Sequence, residues 1–412
     1  MAHRKKNRNV GIIGIGQTKH SSHREDVNQP EMIHEAVSAA LTDANLTMKD
    51  IDCIVHGNME LFEMVHQPDL WHTLGTGAYG KECIRITTGG TVGMTIACAS
   101  DNLVASGLYD IVMAVGFEKL QEGHTTGGIT NMADPLWFRN LQTGALTGSK
   151  AYELISEFGE ERAKRASMMY RIIMDKHAGL NQYAHRSFGL EFEQLDDLIK
   201  SSPKLVGDLK LIEMCSQSDG ACAVIFACEK KTKELSRHPV WIRDHITVHK
   251  EEVFQIFGYH KDYPVLQSHR FAADQLYKRN NIDKPLEYFD VFEMYDPASW
   301  WAVDWLRDFF QLRGDEHIML VEEKEIMIDG KMPINPSGGV IGSNPIGATA
   351  LIRVAEAALQ IRGDAGKHQI PKPVKHALAS GFGGTMWTVL MMLEKELNWQ
   401  EADNGGILGN QR

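Results

Sequence analysis

The sequence predicts an α/β fold assembled from two similar halves. Three observations predict it. Strand-like apolar runs alternate with helical apolar patterns along the whole chain. The order of those elements in the first half returns in the second, the pattern of a duplicated domain. In each half a glycine-containing loop opens a long apolar helix that stops at glycine, first Gly90 to Gly107 and then Asn344 to Gly363.

The elements follow in order. Val10-Gly11-Ile12-Ile13-Gly14-Ile15-Gly16 reads as the first strand. Its glycines superficially match a dinucleotide loop, but the G-x-G-x-x-G spacing and a following helix are missing, which excludes a nicotinamide site. Residues 30–45 place Val37, Ala40, Leu41 and Ala44 near one face of an amphipathic helix. Asp52 to His56 is a short strand, and Val92 to Gly107 an apolar helix. Asp110 to Gly116 and Ala221 to Cys228 are buried strands. In the second half Ser268 to Tyr277 takes the role of the first helix and Tyr288 to Tyr295 that of the short strand. Asn344 to Gly363 is the long helix, and Ala377 to Gly383 the buried strand. The halves are residues 1–235 and 236–412. Between about 119 and 204 the pattern loosens into glycine- and threonine-rich sequence followed by helical stretches rich in Met, Tyr and Arg, an insertion on the first half. Trp300, Trp301 and Trp305, at helical spacing, read as packing side chains.

Composition narrows the function classes. The 412 residues are 43% hydrophobic and 24% charged, ordinary for a soluble globular protein. A net charge of -11 argues against nucleic acid as a partner. No apolar run reaches the roughly 18 residues of a membrane span. The short basic start, Arg4 to Arg8, reads as a frayed terminus, so the expected location is cytoplasmic. The six cysteines, Cys53, Cys83, Cys98, Cys215, Cys222 and Cys228, suggest no disulfide framework. Most stand in apolar contexts and read as reduced, buried thiols, and no C-x-x-C pair suggests a metal site.

Five segments, in order, carry a resemblance to the thiolase superfamily. They are Val104 to Lys119, Cys215-Ser216-Gln217-Ser218-Asp219-Gly220-Ala221, and Phe289 to Asp296. The fourth is Asn335-Pro336-Ser337-Gly338-Gly339-Val340-Ile341-Gly342-Ser343-Asn344-Pro345-Ile346-Gly347-Ala348-Thr349, and the last Ser380-Gly381-Phe382-Gly383-Gly384-Thr385. The flavour is that of the sterol-carrier-protein-2-like and archaeal branch. The resemblance implies a thiolase fold: duplicated βαβαβαββ halves forming a five-layered α/β/α/β/α core with an inserted loop domain. It implies coenzyme A as a substrate and no covalently bound cofactor. It also implies a homodimer core and a small zinc-ribbon and OB-fold partner of the DUF35 type.

The chain departs from the family's pattern at the reactive positions. Thiolases carry a cysteine at the start of the first long helix; counting back from Ala105 lands on Gly90. The second catalytic cysteine falls near Gly381, with Ser380 beside it. The histidine of the glycine-rich loop becomes Asn344, and the middle motif supplies Tyr295 followed by Asp296. Cys98 lies roughly 12 Å further along the helix at 1.5 Å per residue, and Cys83 reads as core. An acyl-cysteine route needs a thiolate, which glycine cannot supply.

The expected protein is therefore a non-standard thiolase-like acyltransferase. Coenzyme A itself attacks the carbonyl of a β-ketoacyl-CoA, using the volume that the missing thiol vacates. Tyr295 and Asp296 are the acid/base candidates and Asn344 the oxyanion donor, with Gly90 and Gly381 marking the emptied thiol positions. Candidate substrate-binding residues are Gly89, Thr91, Ser343, Ser380, His56, Gly338 and Gly339. Plainer readings stand beside these: Tyr295 and His56 as core residues, Asp296 as a helix cap, Asn344 as a turn residue before Pro345. Two rival functions remain open. One is a retro-aldolase acting on β-hydroxyacyl-CoA, whose known examples place a tyrosine where Tyr295 stands. The other is an inactive thiolase-like scaffold subunit.

Overall fold

The computed structural model describes residues 6–60, 62–63, 69–123, 149–249, 268–383 and 387–397. Nine of the described strands join in one mixed sheet. The first half contributes β1 (Val10–Gln17), β2 (Cys53–Gly57), β3 (Glu82–Arg85), β4 (Ile111–Lys119) and β5 (Asp219–Cys228), in spatial order β3-β2-β4-β5-β1. The second contributes β6 (Val240–His249), β7 (Val291–Glu293), β8 (His376–Gly383) and β9 (Trp387–Glu394), in order β6-β9-β8-β7. Read outward from the centre, the pairing is the same in both. The first strand runs antiparallel to the last, the last antiparallel to the one before it, and that one parallel to the second. A short antiparallel contact of β1 with β6, Gly11 opposite Trp241 and Ile12 opposite Val240, joins the halves.

Helices fill three layers around this sheet. α1 (Gln29–Ala44) begins with a reciprocal cap, in which Asn28 Oδ1 accepts from the Glu31 N–H and the Glu31 carboxylate from the Asn28 N–H, each at 2.9 Å. Its buried face, including Met32, Ile33, Ala36, Val37 and Ala40, covers the outer side of the first half-sheet; Leu41, expected on that face, is only half-buried. The glycines of β1 make this approach possible, because a Cβ at Gly14 or Gly16 would run into the carbonyl of Ala40 or Ala36. α2 (Asp69–Thr76) packs on α1. α3 (Val92–Ser106) crosses the centre. α4 (Glu160–Leu180), α5 (Ser268–Arg279) and α6 (Ser299–Phe310) cover the outer side of the second half-sheet, on Leu378, Leu390 and Met392. The one-turn α7 (Gly339–Gly342) precedes α8 (Ile346–Arg362), which lies beside α3 in the middle layer. Both half-sheets close on this pair, with Val55, Val112 and Val224 from one side and Ala377, Val389 and Met391 from the other. The order of layers is α/β/α/β/α, as the resemblance implied.

The insertion expected at about 119–204 is largely helical from residue 149 on. α4 buries Ala166, Tyr170 and Ile173 in the same core as Trp300 and Trp305 of α6. Residues 124–148, like Gly384 and Thr385 of the last motif, lie outside the described residues. One expectation needs correction. Glu82 to Arg85 is a strand, and Cys83 on it is exposed rather than in the core. The reason is that β3 pairs only with β2 and ends the sheet. Among the described residues, no helix is long and apolar enough to cross a membrane.

A buried ion pair fixes α8 to β7. Arg353 Nη1 lies 2.7 Å from Glu293 Oε2 and 2.7 Å from Ser337 Oγ, with Arg353 only 1% exposed. Leaving one buried charge without its partner costs far more than the intact pair contributes, so Arg353→Met is expected to lower the unfolding free energy by about 3–5 kcal/mol. Adding Glu293→Gln should recover part of that loss, as measured by urea unfolding.

Candidate active site

The turn from Asn335 to Pro345, between β7 and α8, is buried throughout. Asn335 opens it in the left-handed region at φ 49, and its Oδ1 accepts from the Met294 N–H at 2.5 Å. Gly338 and Gly339 follow with φ of 91 and 66. A Cβ at Gly338 would sit 2.6 Å from Ala178 of α4, and one at Gly339 would strike the Asp296 carboxylate. Both glycines are close-packing positions, and the expectation that they contact substrate is corrected on that ground.

Asp296 is fully buried and both its oxygens are engaged. Oδ1 accepts from the Val340 N–H at 2.6 Å and Oδ2 from the Tyr170 hydroxyl at 3.0 Å. It therefore holds the start of α7. It does not cap α6, whose N-cap residue is Ala298. Burial pushes its carboxyl up to about 7, against the lowering effect of the Val340 N–H and the nearby Arg353 charge.

Asn344 contacts Cys215, and Tyr295 feels the charge of the same thiol. The Tyr295 backbone N–H donates to Ser380 Oγ at 2.8 Å, which ties the end of β7 to β8. The Tyr295 ring is 6% exposed, and no partner for its hydroxyl is found among the described residues. Burial, followed by the neighbouring Cys215, raises its pKa, so the phenol stays protonated. Asn344 Nδ2 donates to Cys215 Sγ at 3.5 Å, while its Oδ1 accepts from Thr349 Oγ1 at 2.8 Å. Burial pushes the Cys215 thiol up to about 11 although the Arg186 charge pulls it down.

The start of α3 meets the end of β8 backbone against backbone. Gly90 has φ 71, and a Cβ there would lie 2.7 Å from the Phe382 carbonyl oxygen. A Cβ at Gly383 would fall on the Gly89 carbonyl oxygen. The open volume expected at Gly90 is thus absent, because the carbonyl of Phe382 fills it. The position facing Gly89 and Gly90 is Gly383, not Gly381. Gly381, two residues earlier on the same face, would direct a Cβ at Met94 and Ala350. Thr91 is the N-cap of α3 but donates its hydroxyl to Thr88 at 3.1 Å, leaving the helix start without a side-chain cap. His56 is corrected outright. Its ring lies on the outer face of β2, 5.8 Å from the His72 ring of α2 and stacked on Phe117 at 6.3 Å, across the sheet from α3. Burial lowers its pKa to about 4, so it is a neutral core histidine.

Several residues hold this turn, and of them Ser218, His185 and His20 were not singled out from sequence. Ser218 Oγ accepts from the Asn344 N–H at 2.8 Å and is bonded to His185 Nε2 at 2.7 Å. Ser343 Oγ, expected to touch substrate, is instead bonded to His20 Nδ1 at 2.5 Å. Glu118, fully buried, accepts from the N–H groups of Gly347 and Met59, each at 3.0 Å. Cys215 and Ser218 stand within the Cys215 to Ala221 segment already noted, and that segment was the available signal.

This architecture and its glycine-rich turns define a class of protein, and comparison with known proteins agrees. Residues 259–395 match the family described as thiolase C-terminal domain-like. The chain is 28% identical over 394 residues to an acetyl-CoA acetyltransferase of Methanothermobacter thermautotrophicus, covering 92% of this chain and 97% of that one. It is 25% identical to the sterol carrier protein 2 of Gallus gallus, covering 93% of this chain and 71% of the relative. Among solved structures, the Ltp2-ChsH2(DUF35) aldolase superposes with a TM-score of 0.76 at 20% identity over 95% of this chain and 99% of that one. The Acat5 thiolase of Ascaris suum in complex with coenzyme A gives 0.68 at 15% identity, over 94% of this chain and the whole of that one. The chain is thus similar to members of the thiolase superfamily, among them those named sterol carrier protein 2.

Asp296 makes stability depend on pH in a defined direction. Its folded-state pKa, about 7, lies above the unfolded value, so the native state retains a proton that the unfolded chain releases. The contribution is full below the unfolded pKa and is lost as pH rises toward about 7. The unfolding free energy of the parent protein relative to Asp296→Asn should therefore fall between pH 5 and pH 8, as measured by urea unfolding at both.

Proposed function

We propose that this protein is a thiolase-like enzyme acting on acyl-CoA, which cleaves or forms a carbon–carbon bond of a β-ketoacyl-CoA with coenzyme A as acyl acceptor and without an acyl-cysteine on α3. One observation carries this reading: the Asn344 amide, held beside Cys215, keeps an N–H without a partner among the described residues, and the protonated Tyr295 hydroxyl, also without one there, belongs to the core cluster on which Cys215 packs. The carbonyl that accepts nucleophilic attack becomes an oxyanion. A buried amide N–H placed toward it lowers the barrier because the donor is held in place where water is excluded. Tyr295 is suited to give and retake the proton at the α-carbon that leaves or attacks. Ser380 and Asp296 act as positioning residues, Ser380 on the Tyr295 backbone and Asp296 on the turn before Asn344. The start of α3, which has no side-chain cap, favours the negative charge of a thiolate or thioester oxygen brought near it. Glycine at 90 leaves the attacking sulfur to coenzyme A, and the coenzyme A complex of a structural relative supports that ligand. A partner subunit of the DUF35 type is part of the proposal, on the strength of the aldolase neighbour.

The second reading is a retro-aldol lyase on β-hydroxyacyl-CoA. The same Tyr295 favours it, since its protonated hydroxyl can give the α-carbon of the departing enolate a proton as the bond breaks, the β-hydroxyl proton passing to solvent. A coupled assay separates the two. Release of a shortened acyl-CoA from acetoacetyl-CoA only when coenzyme A is added supports thiolysis. An aldehyde or ketone released from a β-hydroxyacyl-CoA without added coenzyme A supports the lyase. Neither activity, with or without the partner, leaves the scaffold reading. Removing one oxyanion donor costs about 10²–10³ in kcat, so Asn344→Ala should lose that much. Tyr295→Phe should lose a similar factor with KM little changed. An acyl adduct on any cysteine, found by mass spectrometry, would refute the thiol-free route.

The exposed edge of the first half-sheet fits a second copy of the chain. β3 has Ile84 36% exposed. α2, tied to β3 by Arg85 and Asp69 at 3.3 Å, leaves Leu70, Trp71 and Leu74 at least 60% exposed. Trp71→Glu should shift the sedimentation coefficient from that of a dimer toward that of a monomer.

A further inference from the structure

The Asn344 side chain is held by two residues from different parts of the chain. Its Oδ1 accepts from Thr349 Oγ1 at 2.8 Å, one turn into α8, and one hydrogen of Nδ2 points at Cys215 Sγ, 3.5 Å away before β5. A primary amide offers two acceptor sites on oxygen and two N–H donors. With the oxygen committed to the Thr349 hydroxyl and one N–H to the sulfur, one N–H remains, and no partner for it is found among the described residues. The backbone on either side is equally constrained. The Asn344 N–H is on Ser218, which His185 holds, and the preceding Ser343 is on His20. The buried thiol stays protonated, and a neutral sulfur accepts weakly. It therefore orients the N–H without drawing it away from a stronger acceptor.

We propose that Thr349 and Cys215 are positioning residues that fix the amide of Asn344 in the one orientation that presents an N–H, and not the oxygen, to the acyl-CoA carbonyl. If the amide turned over, its oxygen would face the developing oxyanion and repel it. The threonine hydroxyl disfavours this: its proton goes to the amide oxygen, and the other acceptor within reach of a helical threonine, the Pro345 carbonyl one turn back, already takes the N–H groups of Ala348 and Thr349 at 2.8 and 2.9 Å. This inference rests on the reading of Asn344 as oxyanion donor and adds the groups that make it one.

The experiment uses Thr349→Val, Thr349→Ser, Cys215→Ala and Asn344→Ala, and the double variant Thr349→Val with Asn344→Ala, in the full chain. Acetoacetyl-CoA with coenzyme A is the activity probe, and iodoacetamide labelling of Cys215 followed by mass spectrometry is the second readout. A misplacement of about 1 Å can cost about a hundredfold, so Thr349→Val is expected to lose roughly ten- to a hundredfold in kcat with KM little changed. Cys215→Ala should lose less, and Thr349→Ser should restore kcat. The double variant should be no slower than Asn344→Ala, because the threonine acts only through the asparagine. Cys215 labelling should quicken about threefold or more in Thr349→Val and Asn344→Ala, where the amide no longer covers the sulfur, and not in Thr349→Ser. The inference alone is overturned if Asn344→Ala is slow while Thr349→Val keeps parental kcat, or if the two losses multiply. Unchanged Cys215 labelling in Thr349→Val overturns it too, even in a protein inactive on the probe. If Asn344→Ala keeps full activity, the oxyanion reading falls and this inference with it.

Discussion

The candidate site depends on a buried, glycine-rich turn being held still. The turn from Asn335 to Gly347 makes little secondary structure of its own, so its polar backbone has to be satisfied from outside. Three carboxylates do most of this. Glu293, paired with Arg353, takes the Ser337 hydroxyl at 2.7 Å; Asp296 takes the Val340 N–H; Glu118 takes the Gly347 N–H. Glu293 and Asp296 come from the end of β7 and the residues just after it and Glu118 from β4, so the turn is held from both half-sheets. Burying charge is costly, and replacing such groups by apolar ones often stabilises a protein. Their retention here is explained by what they position: Asn344 stands between the Asp296 and Glu118 attachments.

The same constraint accounts for the glycines. Gly338 and Gly339 let the turn pass close to Ala178 and the Asp296 carboxylate, and Gly90 and Gly383 let two loops meet backbone to backbone. A thiol at the start of α3 and the carbonyl of Phe382 cannot share one place. The chemistry available at this end of α3 is then that of main-chain dipoles and of whatever sulfur a ligand brings, with Tyr295 and Asn344 as the side chains that can move or stabilise charge. The sulfur that Asn344 contacts, Cys215, is kept protonated by its burial, which suits an orienting group better than a nucleophile.

Much of the fold was legible because local patterns carry it. The apolar runs of β1, β5 and β8 and the glycine stops of α3 and α8 lie within a residue or two of their expected places, while β4 runs three residues further than expected. Of the site, Tyr295 and Asn344 were legible as departures within a recognisable motif. Other expectations failed for reasons of face and register. His56 follows Val55 on β2, and successive residues of a strand point to opposite sides, so one faces α3 and the other faces α2. Gly381 and Gly383 share a face, and only the packing of β8 against the α3 loop shows which of them meets Gly90. Cys83 read as core because it lies on the approach to a strand, but its strand ends the sheet and nothing described covers it.

By itself the sequence determined the α/β class, the repeated order of elements, the family resemblance and the absence of a side chain at position 90, since all of these are properties of residue type and spacing along the chain. Only the tertiary structure decided that Thr349, Cys215, Ser218 and His20 surround Asn344, that Asp296 braces a turn, and that the space beside Gly90 is already filled. Those facts concern which distant segments touch. Contacts between residues more than a hundred positions apart, such as Cys215 with Asn344, are set by how the two half-sheets close on α3 and α8, a relation that no local pattern encodes.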